Sequence, residues 1–81
     1  MNLHQTLSQY ILDQCLKGQL PEGFDDDYNL IDAGFMDSLA IINTVSYLEE
    51  NCGIAIDDGD IVPEHFMSVN ALTAFVRQKS A

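Results

Sequence analysis

The sequence is poor in positive charge. Its 81 residues hold three Lys and Arg against thirteen Asp and Glu, a net charge of −10. A surface of that sign repels nucleic acid and anionic membranes, so neither is an expected partner. It attracts basic protein surfaces and speeds their encounter. It also repels itself, so a modest stability that rises with salt or divalent cations is expected. Cysteine is scarce as well, with only Cys15 and Cys52. The opening "MNLHQTLSQY" has no basic start and no apolar run, so no secretory leader is expected. The two thiols then read as free in a reducing cytoplasm. No apolar stretch approaches the length that spans a bilayer, so membrane insertion is not expected.

What is present fits one small folded domain over residues 1–81. The hydrophobic fraction of 47% is that of a globular protein. A chain this short makes a small core, which depends on tight packing.

Leu3, Leu7, Tyr10, Ile11 and Cys15 recur at helical spacing, so the pattern predicts a first helix over 3–17, with Gly18 as its stop. Residues 18–37, "GQLPEGFDDDYNLIDAGFMD", form a long connection, with Phe24, Leu30, Ile31 and Phe35 as its candidate anchors. A loop of that length in so small a domain points to function. The clearest helix is predicted over 38–52, with Asp37 or Ser38 as its cap. "GIAIDDGD" reads as a loop, and "IVPEHF" as a short helical turn with Pro63 in its first turn. Ser68 is placed to cap a last helix with Val69, Leu72, Phe75 and Val76 on its apolar face. No strand is expected. The fold class is all-α, with three main helices, a short one, and a long first loop.

The second main helix has two unlike faces. At roughly 100° per residue, Ile41, Val45, Leu48 and Cys52 fall on one side. Leu39, Asn43, Ser46 and Glu50 fall nearly opposite, with Tyr47 beside them. Leu39 is the apolar exception on that outer face. A single exposed leucine is ordinary; the sharper reading is a contact for partners that approach Ser38.

Three chemistries compete for Ser38. As a cap it satisfies a free backbone N–H, worth roughly 1 kcal/mol. As a hydrolase nucleophile it fails, because Met36 and Ala40 occupy the glycine positions of Gly-x-Ser-x-Gly. The only imidazole bases are His4 and His65, neither placed beside it in sequence. As an attachment point it is well sited, because a phosphate ester there lies at a helix N-terminus that favours anions.

"LIDAGFMDSLAIINTVSYLEENCGIAI" is similar to the pattern of acyl carrier proteins in the phosphopantetheine-binding family. Leu30, Gly34, Asp37, Ser38 and Leu39 match its signature, and "PEHFMSVNALTAFV" resembles its last segment. The resemblance covers essentially the whole chain. It implies a four-helix bundle, and a 4′-phosphopantetheine arm placed on Ser38 from coenzyme A by a separate transferase. It implies a carrier of acyl or aminoacyl thioesters and not a catalyst. Asp37 then flanks the site and faces basic groups of the transferase. Leu39, Asn43, Ser46 and Glu50 form the face that meets partners, namely loading ligases and downstream transferases or synthases with basic surfaces. A cargo pocket lined by Ile42, Val62 and Phe66 competes with an ordinary core role for those residues. A monomer is expected.

The departures point to a pathway. Many fatty-acid carriers have acids two and five residues after the serine, where this chain has Ala40 and Asn43. "VPEHF" is similar to stand-alone carriers for aminoacyl or specialised acyl groups, such as those of polyketide or nonribosomal peptide synthesis. The alternatives are a general fatty-acid carrier and an unmodified acidic helical adaptor.

Two further features carry less. Asp25-Asp26-Asp27 begins like a calcium loop, but positions six and twelve hold Leu30 and Met36. A solvated acidic loop is the better reading, and no metal is expected. Cys15 and Cys52 read as small buried hydrophobes without zinc-site spacing, and Met36 and Met67 as packing residues.

Overall fold

The computed structural model describes residues 2–80. Four α-helices account for its regular structure: α1 (Leu3–Gln14), α2 (Ser38–Asn51), α3 (Pro63–Phe66) and α4 (Val69–Ser80). A 3₁₀ turn, Asp58–Asp60, interrupts the loop between α2 and α3, where a plain loop was expected. No strand occurs among the described residues, and none of the helices is long and apolar enough to cross a membrane.

Each main helix begins where a side chain can take a free amide. The Asn2 carboxamide oxygen accepts from Gln5 N at the start of α1. At α4 the Ser68 hydroxyl accepts from Ala71 N at 3.0 Å. Pro63 opens α3, where its missing N–H costs nothing.

α1 stops at Gln14, three residues before the predicted end. The chain winds out through left-handed Lys17 (φ 57°) and Gly18 (φ 81°), and the Gly18 amide closes back on the Leu12 carbonyl at 2.8 Å. Cys15 and Leu16 stay buried beyond the helix end, so the apolar period outruns the helix.

The core joins Leu7 and Ile11 of α1, Leu48 of α2, Phe66 of α3, and Val69, Leu72, Phe75 and Val76 of α4. Two residues of the long first loop complete it, Leu30 and Met36. Met67 is instead partly exposed. The loop is tied down by backbone as well as by apolar contacts. Leu30 N donates to the Met67 carbonyl at 2.7 Å, and Asn70 N to the Asp26 carbonyl at 3.0 Å.

The acidic run has structural work. Asp25 Oδ1 accepts from Asp27 N, Asp26 pairs with His4 at 3.0 Å, and Asp27 Oδ1 accepts from Asn70 Nδ2 at 2.9 Å. The last two fasten the loop to α1 and α4.

Candidate functional site

The end of the long loop presents Ser38. The Asn29 carboxamide oxygen accepts from the amides of Ile31 and Asp32 and starts a tight turn. Gly34 (φ 86°) ends it in a conformation that L side chains rarely adopt. The amides of Phe35 and Met36 then close on the Leu30 carbonyl. Met36 plugs into the core, and the next two residues, Asp37 and Ser38, emerge exposed.

Asp37 is the cap of α2: its Oδ1 accepts from Ala40 N at 2.9 Å. The cap therefore falls to the acid, and Ser38 is the first helical residue with its hydroxyl outside the cap. The first intrahelical bond runs from Ile41 N to the Asp37 carbonyl. The amides of Ser38 and Leu39 thus lack an intrahelical acceptor. An exposed hydroxyl beside free amides at the positive end of a 14-residue helix suits a phosphate ester. The residues present fit a phosphopantetheine group on this serine.

The outer face of α2 has the residues expected there. Leu39, Asn43, Ser46 and Glu50 are all exposed, Leu39 by 66%. From Ser38 to Leu48 the helix carries no charge; Asp37 precedes that stretch and Glu49 and Glu50 follow it.

The inner face differs from the wheel in one residue. Thr44 is fully buried, with Ile41 and Val45 only half-buried. Its hydroxyl donates to the Ala40 carbonyl at 2.8 Å and lies 3.3 Å from the Tyr10 hydroxyl. A hydroxyl satisfied by its own helix can sit at the seam, which a count of apolar letters misses.

Ile42 requires a correction. It is 60% exposed, so it is neither core nor the wall of an internal pocket. Phe66 is fully buried against Phe75, with ring centroids 5.7 Å apart, and Val62 is half-buried. Position 42 lies near the edge of the buried arc and its side chain clears the bundle.

A groove of about 610 Å³ lies on the other flank of α2, between it and the end of α1. Asp37 and Leu39, the neighbours of Ser38, line it. Tyr10 and Tyr47 stack there with ring centroids 4.1 Å apart. Tyr47, expected beside the polar face, is therefore half-buried. Cys15 lines the same groove, and burial pushes its thiol and the Tyr10 phenol up from their ordinary pKa values. Burial also raises the Cys52 thiol. Both cysteines are free.

A family model described as the phosphopantetheine attachment site matches residues 5–76. A probable acyl carrier protein, PigG of Serratia sp. (strain ATCC 39006), is 29% identical over 79 residues, covering 98% of this chain and 90% of that protein. With the all-helical fold described above, the chain belongs to the phosphopantetheine-attachment family: it is a non-catalytic domain of acyl-carrier type whose cofactor is 4′-phosphopantetheine.

Proposed function

We propose that residues 1–81 act as a stand-alone carrier and that Ser38 is the attachment residue. The observation that carries this reading is the division of labour at the start of α2. Asp37 makes the cap, and the next hydroxyl is left exposed and unused. In the loading step Ser38 Oγ forms a new bond to phosphorus as the pyrophosphate linkage of coenzyme A breaks. Adenosine 3′,5′-bisphosphate leaves, and the serine proton passes to a base of the transferase. The bound arm supplies a terminal thiol that holds an acyl or aminoacyl group as a thioester.

The chain's own residues present that arm. Asp37 meets basic groups of the phosphopantetheinyl transferase. Leu39, Asn43, Ser46 and Glu50 form the face met by the transferase, a loading ligase and later enzymes. The uncharged stretch from Ser38 to Leu48 supports a specialised pathway over general fatty-acid synthesis. The near end of the helix offers partners an apolar contact at Leu39 and not a row of acids. The relative's printed name, a probable acyl carrier protein, supports the carrier role without fixing a pathway.

The test is the intact mass of the protein after incubation with coenzyme A, magnesium and a broad-specificity transferase. The wild type is expected to gain one phosphopantetheine, and Ser38→Ala none. An equal gain on both would remove Ser38 from the role. No gain on either folded protein would favour the adaptor reading.

A further inference from the structure

The fold sets the chain's two lysines apart. Lysine is among the commonest residues of ordinary proteins, yet this chain has only Lys17 and Lys79. Lys79 is engaged: its Nζ donates to Asp60 Oδ2 at 2.8 Å, and that bond holds the amine charged, above its ordinary pKa. Lys17 is exposed, and no ion pair holds it among the described residues. It is also the one described residue other than glycine in the left-handed region, at φ 57°. The turn that ends α1 imposes this conformation, as the Gly18 amide closes on the Leu12 carbonyl. Backbone held in such a region often marks a functional position. The turn sets Lys17 on the wall of the 610 Å³ groove that Asp37 and Leu39, the neighbours of Ser38, also line. Cys15, on the same wall, gives a second sign of this closeness. Burial raises its thiol most, while the Lys17 charge pulls it down and the Asp37 charge pushes it up. Lys17 and Asp37 therefore lie within interaction range of one sulfur.

An unpaired amine beside a thioester is a reactive pair. We propose that Lys17 is a self-acylation site, whose Nζ takes the acyl group from a loaded arm that no partner enzyme has discharged. This rests on Ser38 carrying the arm. Lys17 attacks as the neutral amine. A C–N bond forms at the thioester carbonyl as the C–S bond breaks. The electron pair of that bond leaves with sulfur, and the proton shed by the amine ends on the arm thiol. No oxidant or further reactant enters. The products are an amide on Lys17 and a free arm thiol, open to reloading. Proximity drives the step, because amine and thioester belong to one molecule. The amide is the more stable product, so each molecule makes the transfer once and loses the Lys17 charge. Cys15 is a poor competitor on the same wall. It is 9% exposed, and its burial disfavours the thiolate that would have to attack.

The test loads the apo protein from acetyl-coenzyme A with a broad-specificity transferase, removes the excess, and incubates at several pH values. Intact mass first shows that acetyl-phosphopantetheine has been added. Hydroxylamine then strips thioesters and leaves amides, and fragment masses locate the acetyl group that remains. The expected result is a hydroxylamine-resistant acetyl group on Lys17, formed at a rate independent of protein concentration. That rate should rise about tenfold per pH unit, as the neutral fraction of a lysine amine does below its ordinary pKa of about 10.4. Lys17→Arg keeps the charge and should load fully, with no resistant acetyl group. Resistant acetyl forming equally on Lys79 or on the α-amine would overturn the proposal, as would a rate that scales with protein concentration. Equal acetylation of Lys17 in folded Ser38→Ala protein, or loaded protein that gains no resistant acetyl, would also overturn it. In each of those cases the wild type still loads, and the attachment at Ser38 stands. Absence of loading would overturn the carrier reading on which the proposal rests.

Discussion

Two serines stand at helix starts in this chain, and they have opposite fates. Ser68 is 4% exposed, and its hydroxyl accepts from Ala71 N at the start of α4. Ser38 is exposed at the start of α2, where Asp37 has already taken the capping bond. One residue of register separates them. Ser68 sits at the cap position and is consumed by structure; Ser38 sits one position inside and its hydroxyl stays exposed. The acid before Ser38 thus has two effects. It stabilises the helix, and it frees the hydroxyl that a cap would have used.

The sharpest way to break the contrast is to remove each hydroxyl in turn. Ser38→Ala should abolish loading outright, with a stability change within about 0.5 kcal/mol, because no cap is lost. Ser68→Ala should load fully. If Ser68→Ala blocked loading in a folded protein, the two serines would not be divided as described.

A smaller effect is expected from Leu39→Asp. The residue is outside the core, so stability should hold. Loading efficiency by the transferase should fall roughly tenfold, as for an apolar anchor lost from an interface. Equal loss of stability and loading would place Leu39 in the bundle. Next comes the structural side of the contrast: Ser68→Ala should cost about 1 kcal/mol through the lost cap. For a domain of this size that is a fall in Tm of about 4–8 °C. An unchanged Tm would show that Ser68 is not a working cap.

The smallest effect concerns the loop that leads out of α2. Lys79 Nζ donates to Asp60 Oδ2 at 2.8 Å, and the Asp57 amide donates to the same oxygen. These bonds hold the Asp60 carboxyl below its ordinary pKa, the Lys79 bond first, and the same bond holds the Lys79 amine above its own. The Asp60 contribution is therefore present at neutral pH and lost as pH falls through the lowered value. The Lys79 contribution is lost only as pH rises through the raised one. Asp60→Asn should melt slightly below the wild type at pH 7. The gap should close as the pH drops below the ordinary carboxylate value of about 3.9. A gap that widens in acid would contradict the pair.

Much of this was legible in the sequence, for identifiable reasons. Helical periodicity marked α1, α2 and α4, and Pro63 marked α3, because amphipathic faces and breakers act locally. Ser68 was legible as a cap for the same reason. The choice between Asp37 and Ser38 was not legible, because adjacent capping residues differ only in register. The end of α1 was misplaced because Cys15 and Leu16 remain buried after the helix has unwound. Ile42 is exposed where core or a pocket wall was expected, and Thr44, which the wheel left unassigned, is fully buried. An apolar letter near the edge of the buried arc points outward, and a hydroxyl satisfied by the Ala40 carbonyl points inward. The α1–α2 groove could not be seen at all, because Gln14, Lys17 and Asn43 are brought together only by packing.

The proposal that Ser38 carries the arm rests on an exposed hydroxyl at the first residue of α2, beside free amides. The direct measurement is fragment mass spectrometry of the loaded wild-type protein, mapping the added phosphopantetheine to a residue. The added mass is expected on Ser38 and on none of Ser8, Ser46, Ser68 or Ser80. Mass on any other residue would contradict it.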